Sequence, residues 1–410
     1  MKPWIRLLAL SLASLPILST VTPAQDFREE FTSVTPTNFD GGGEVSRQFH
    51  LNAESYLRMS TVFAPDQPSA LEVDEASPLA EVSVAHKNGT TTFAEYVAQD
   101  PLIDGVIVLH DGRIAFEAYP NMQPHQRHFS WSVSKIVAST ALAALADQGR
   151  LDMDARVEEY LPELAGTAWS GTPVRDIADM ASGIDCLDSD GYQDSTTCIY
   201  TLEESLGITA PTERKPDFIE HLRAMDRLGQ SGAKYEYVSA NTNVLALLIE
   251  RVTGKQYSEA LGKLLWRPIG AEADAMMAIS SAGFAYASGG LHARLRDIAR
   301  LGQVYIQPCH AGVLSAAKVR EIQGGGVGFT EVQAAEHRGL LSDDLPVRAG
   351  WQWDMIWADG AMYKSGYSGQ GLYVDPSRKL VAAWFGTGLG YDEVYNEMLS
   401  VSRQLARSLD

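Results

Sequence analysis

Cysteine is scarce in this chain. It has three in 410 residues, Cys186, Cys198 and Cys309, so at most one pair can close within it. Cys186 and Cys198 bracket a short polar loop, and an exported protein is expected to join them as a disulfide. Cys309 is then a lone thiol, read as structural rather than reactive. The nine histidines are scattered, with no H-E-x-x-H or other close ligand spacing, so neither metal nor cofactor is expected. Positive charge is short as well, with 33 Lys and Arg against 52 Asp and Glu and a net charge of -19. No basic stripe overrides that balance, and a surface so acidic repels nucleic acid and anionic lipid.

Also lacking are an internal repeat of fixed period and an apolar run long enough for a convincing membrane span. The N-terminus has the pattern of a processing signal instead. Lys2 and Arg6 are its charged part, Leu7 to Leu18 its apolar part, and Thr22-Pro23-Ala24 its small-residue end. No cysteine follows for a lipid anchor. Residues 1–24 are therefore expected to be a signal peptide, and the mature protein a soluble periplasmic or secreted one with no stable membrane insertion.

What is present is a globular composition, 45% hydrophobic and 21% charged. Residues 25–80 are polar and punctuated by Gly41-Gly42-Gly43 and by Pro65 and Pro68, which predicts an irregular arm wrapping the surface. Gly105 to His110 and Arg113 to Glu117, joined by Asp111-Gly112, predict a hairpin. Helices are expected at 93–99, from Lys135 to about 148, and at 243–252, 260–265, 295–304 and 393–409. Residues 371–375 and 380–385 flank a turn and predict a second hairpin. The glycines of 324–328 predict a flexible turn; no Lys-Ser or Lys-Thr follows to make a phosphate cradle. The fold class expected is α+β. An antiparallel sheet lobe built from 81–130 and 290–410 is flanked by helices, with a mostly helical lobe, 131–289, inserted between its halves.

The organising stretch is Ser132-Val133-Ser134-Lys135, running into Ile136 to Leu145. Nearly every position after Lys135 is small or apolar, the pattern of a helix buried on most sides. Ser132 and Lys135 share its first turn. Burial lowers a lysine's pKa, and a neutral amine one turn away can take a hydroxyl's proton. Ser132 as an ordinary N-cap, with Lys135 reaching to solvent, satisfies the same spacing. Two further segments can converge on them: Tyr237-Val238-Ser239 before a helix, and Lys364-Ser365-Gly366-Tyr367 leading into a strand.

Taken in that order, the three segments resemble the serine beta-lactamase-like superfamily. It includes class C beta-lactamases, D-alanyl-D-alanine peptidases, family VIII esterases and 6-aminohexanoate-dimer hydrolases. The resemblance extends from roughly 80 to 405 and implies a beta-lactamase/transpeptidase-like fold. It implies Ser132 as nucleophile, Lys135 and Tyr237 as the proton-transfer pair, and substrate positioning by Ser239, Lys364, Ser365 and Gly366. The backbone N–H groups of Ser132 and Tyr367 would form the oxyanion hole. Y-x-S in place of Y-x-N, and Gly366-Tyr367-Ser368-Gly369-Gln370, are similar to the aminohexanoate-dimer hydrolase branch and its esterase relatives. Lys364-Ser365-Gly366 keeps the lactamase and peptidase pattern. The activity expected is acyl-enzyme hydrolysis of a small carboxylic ester or linear amide. A beta-lactamase, a D-amino-acid peptidase and a non-catalytic penicillin-binding-like protein are the alternatives. Residues 186–232 and 324–350 are expected to line the pocket, and Trp351, Trp353 and Trp357 to form either an aromatic wall or a core cluster.

Overall fold

In a computed structural model the protein is described over residues 27–306, 312–388 and 393–410. The expected signal peptide and Cys309 lie outside the described residues.

Asp111 and Gly112 both take positive φ, 46° and 80°, and so turn the chain between strands Ile103–His110 and Arg113–Ala118. This hairpin is one edge of an eight-stranded antiparallel sheet. Leu380–Gly386 pairs with Ile103–His110, and Gln370–Asp375, Met362–Gly366, Trp353–Ile356, Arg348–Gly350 and Val327–Gly328 follow outward. The central strands read as unbroken apolar runs because both of their faces are covered. Val381, Ala383 and Phe385 enter one core, while Leu380, Ala382 and Trp384 enter the other. The closing helix Glu393–Arg407 covers the second face through Met398, Leu399, Val401 and Leu405. A Cβ at Gly371 would meet the Trp384 ring at 2.1 Å, so a glycine is needed there for the two strands to pack.

On the other face lies the helix Ser134–Asp147, buried from Ser134 through Leu145 on every side, as its uniformly small and apolar sequence predicts. It packs against Ser239–Thr253, which begins four residues earlier than the sequence periodicity marked. No helix among the described residues is long and apolar enough to cross a membrane.

Three expectations need correction. Residues 25–80 are not irregular throughout: they hold helices Phe27–Ser33 and Gly43–Leu51 and the strand Met59–Val62. Phe49, His50 and Val62 are buried, so this arm is part of the core. The Gly41-Gly42-Gly43 run that suggested a loop is the entry to a helix, with Gly42 and Gly43 at positive φ. Second, Met59–Val62 starts a separate four-stranded sheet, continued by Ala275–Ala278, Leu291–Ala293 and His128–Phe129. Ala275–Ala278 falls within the segment expected to be mostly helical; its Ala-Met-Met-Ala sequence carries no β-branched signal. Third, Val327–Gly328 is an edge strand rather than a free turn. Trp351, Trp353 and Trp357 resolve to the core: all three are buried.

The polar segment 186–232 is anchored by helices Cys198–Leu206 and Phe218–Ala224 and by a disulfide between Cys186 and Cys198. Serine at both positions is expected to lower stability by about 2–4 kcal/mol, measured by urea unfolding of the double variant against the oxidised protein.

Candidate active site

Ser132 lies in a single 3-10 turn, Trp131–Val133, immediately before the helix that starts at Ser134. It caps nothing: the cap position is Val133, with no side-chain cap bond. Trp131 holds a left-handed φ of 44°, an unfavourable conformation for a bulky residue that the surroundings must enforce. They do so through its ring. The indole N–H donates to His50 Nε2 at 2.9 Å, which leaves His50 Nδ1 to donate to Thr387 Oγ1 at 3.3 Å. Thr387 in turn donates to Asp104, which also accepts from Arg47 Nε at 2.7 Å. His50 is fully buried, and desolvation keeps its pKa well below the usual histidine value, consistent with the neutral tautomer that accepts from Trp131.

Lys135 Nζ is 3.0 Å from Ser132 Oγ, 3.0 Å from Ser239 Oγ and 2.8 Å from the Ser288 carbonyl oxygen. Burial pushes its pKa down to about 7; the charge of Asp188 opposes the shift and that of Lys364 adds to it. The amine is therefore available as a base near neutrality. Its partners are themselves fixed. Ser239 donates its hydroxyl to Asp188 Oδ2 at 2.6 Å and its backbone N–H to Asp188 Oδ1 at 2.7 Å. Asn243 bonds Ser288 through both ends of its amide.

Tyr237 comes in from the other side. Its hydroxyl accepts from Lys364 Nζ at 2.8 Å, and its ring lies under both ammonium groups, 5.0 Å from Lys135 Nζ and 4.5 Å from Lys364 Nζ. Lys364 is fully buried and paired with Asp354 Oδ1 at 2.5 Å. Ser365 turns its hydroxyl to Asp354 and donates its N–H to the same carboxylate at 2.9 Å. A Cβ at Gly366 would sit 2.8 Å from the Ser130 carbonyl oxygen, so this glycine lets the strand end close against the nucleophile turn. Tyr367 follows, its ring 5.5 Å from that of Trp131.

The cleft over Ser132 is walled by Phe39, Asp40, Trp131, Tyr192, Glu203, Ser239, Tyr286 and Tyr367. Two of these are acids. Glu203 is buried, its pKa pushed up to about 8, and accepts from the Tyr286 hydroxyl at 2.5 Å. Asp40 is also raised by burial.

The structure thus brings Ser132 and Ser239 onto the Lys135 amine and Tyr237 onto Lys364. Ser365 faces Asp354, which makes it a support for the Lys364 strand. Sequence reasoning missed Asp188, Asp354, Glu203 and the whole arm contribution of Phe39 and Asp40. None of these carried a local signal, since each acts on a partner distant in the sequence.

Residues 92–405 match the beta-lactamase family. The chain belongs to that family. This beta-lactamase-family protein is 33% identical over 287 residues to the 6-aminohexanoate-dimer hydrolase of Paenarthrobacter ureafaciens, covering 68% of this chain and 71% of that one. Among solved structures it is similar to a Bacillus anthracis protein described as a 6-aminohexanoate-dimer hydrolase. The TM-score there is 0.77 at 22% identity, over 92% of this chain and 96% of the other. It is similar also to EstCE1, a hydrolase with promiscuous acyltransferase activity, with a TM-score of 0.58 at 14% identity over 76% and 95% of the two chains. Both share the beta-lactamase/transpeptidase-like fold. The protein is a serine hydrolase by family.

Proposed function

We propose that this protein hydrolyses a linear amide or small carboxylic ester through an acyl-enzyme on Ser132. The observation that carries this reading is the buried Lys135 amine, 3.0 Å from Ser132 Oγ and with its pKa lowered to about 7. Ser132 Oγ attacks the substrate carbonyl carbon as its proton passes to Lys135 Nζ. The oxyanion is received by the backbone N–H groups of Ser132 and Tyr367. The carbon–leaving-group bond then breaks as the Tyr237 phenol, held by Lys364, protonates the departing amine or alkoxide. Water attacks the acyl-enzyme in the reverse sense and frees the acid.

Likeness to a relative favours a linear amide over a beta-lactam or a D-amino-acid peptide: the Paenarthrobacter protein, 33% identical, is named for the 6-aminohexanoate dimer. In the cleft wall Glu203, its pKa raised to about 8 by burial, is protonated near neutrality and offers a hydrogen bond rather than a charge.

The test is a substrate panel with mass spectrometry. Short p-nitrophenyl esters and linear amides are expected to turn over, with a chromogenic cephalosporin slower by at least about a hundredfold, and the acyl mass is expected on the Ser132 peptide. Ser132→Ala is expected to lose label and turnover together. A Ser132→Ala variant with full rate rules the mechanism out, and a faster cephalosporin rules out the substrate class.

A further inference from the structure

Beside the catalytic cleft is a second hollow of about 310 Å³, a size within the lower range for small-molecule sites. Its lining is mainly apolar, including Val34, Phe49, Tyr56, Leu57 and Ile208. Two elements wall both spaces. The arm contributes Phe39 to each, and the helix Cys198–Leu206 contributes Glu203 to the cleft and Glu204 to the hollow. The Phe39 ring lies between the two spaces and borders both. It stacks 5.9 Å from Trp131 on the cleft side and meets Phe49 edge-on at 4.8 Å on the other.

Polar groups at the rim are already engaged. Glu204 accepts from the Thr212 hydroxyl at 2.6 Å and pairs with Arg214 at 3.4 Å, and the Tyr56 hydroxyl donates to the Phe31 carbonyl at 3.2 Å. The hollow therefore offers methylene-binding surface rather than a site for a charged end. Its position selects which part of a substrate reaches it. The leaving group must lie against the Tyr237 phenol, whereas the wall around Phe39 carries neither Tyr237 nor Lys364.

We propose that the hollow behind Phe39 is a subsite for the acyl chain, extending the specificity of the Ser132 centre to acyl groups longer than the cleft alone can hold. The proposal rests on the acyl-enzyme reading and adds chain length to it. Each methylene transferred from water to such a surface changes kcat/KM by about fourfold.

The experiment is a series of p-nitrophenyl esters from acetate to dodecanoate on three forms of the full mature chain: wild type, Phe39→Ala and Leu57→Trp. The readout is the octanoate-to-acetate ratio of kcat/KM, which a uniform loss from partial misfolding leaves unmoved. Leu57→Trp, which fills the hollow, is expected to lower the ratio at least tenfold; Phe39→Ala, which widens the way past the ring, is expected to raise it. A ratio within twofold of wild type in Leu57→Trp, at a residue outside the cleft, overturns the subsite while acetate hydrolysis continues. Loss of the Ser132 reading would instead appear as a Ser132→Ala variant that still cleaves acetate.

Discussion

Replacing Lys135 by methionine is expected to cut the acylation rate by about 10³–10⁴-fold while making the protein harder to unfold. Both effects come from one side chain in an unfavourable place. In the wild type the amine must be neutral to take the Ser132 proton, and burial, with Lys364 adding, brings its pKa to about 7. Wild-type acylation should therefore rise with pH through about 7 and level off above it. Loss of this rising limb in the variant, read from the burst of p-nitrophenol between pH 5 and 9, identifies Lys135 as its source. A limb that survives the substitution assigns it elsewhere. The sign of the stability effect follows from the same shift. The folded pKa lies below the unfolded lysine value of about 10.5, so between the two the unfolded chain binds more protons than the folded one. The penalty for burying the ammonium is full below about pH 7 and fades as pH rises through that window. The gain in Tm for Lys135→Met should be largest near pH 6 and disappear above about pH 10.5. Equal Tm values at pH 6 would mean that the folded pKa of Lys135 is not depressed and that its burial carries no penalty.

Tyr237→Phe is expected to cost about 10²–10⁴-fold in kcat for a linear amide, with a much smaller change in KM. The phenol is the group that Lys364 Nζ reaches at 2.8 Å, and Phe keeps the ring under both ammonium groups while removing only the oxygen. The comparison of substrates is the informative part. An amine cannot leave without a proton, whereas p-nitrophenolate leaves unassisted. The loss should therefore be at least tenfold greater for the amide than for a p-nitrophenyl ester of the same acid. Equal losses on both would assign Tyr237 to deprotonating Ser132 rather than to the leaving group.

How far the chain could be read in advance depended on how local each signal was. The buried helix after Lys135 and the Asp-Gly hairpin were legible because composition and turn chemistry within a few residues decide them. Ser132, Tyr237 and Lys364 were legible as motifs, but what holds them was not. Tyr237 lies beside Lys135 as expected, its ring 5.0 Å from Nζ, and its hydroxyl accepts from Lys364, whose own position depends on Asp354. Nothing near Asp354 in the sequence marks it as a partner. The same holds for Asp188 under Ser239, and for His50, which reaches Thr387 across most of the chain. The arm was misread for a related reason: a glycine cluster is a loop signal locally, and only the packing of Phe39 on Trp131 and Phe49 reveals a wall of the cleft.

The pairing of Leu380–Gly386 with Ile103–His110, with Leu380 opposite His110, has a consequence for biosynthesis. The early hairpin leaves the ribosome with an apolar edge whose mate, residues 380–386, is encoded far downstream. Until that mate emerges, the edge is open to wrong partners, including the same edge on a neighbouring nascent chain. Maturation of this protein thus waits on residues 380–386. Chains that stop short of Gly386 should accumulate as aggregates rather than as partly active fragments.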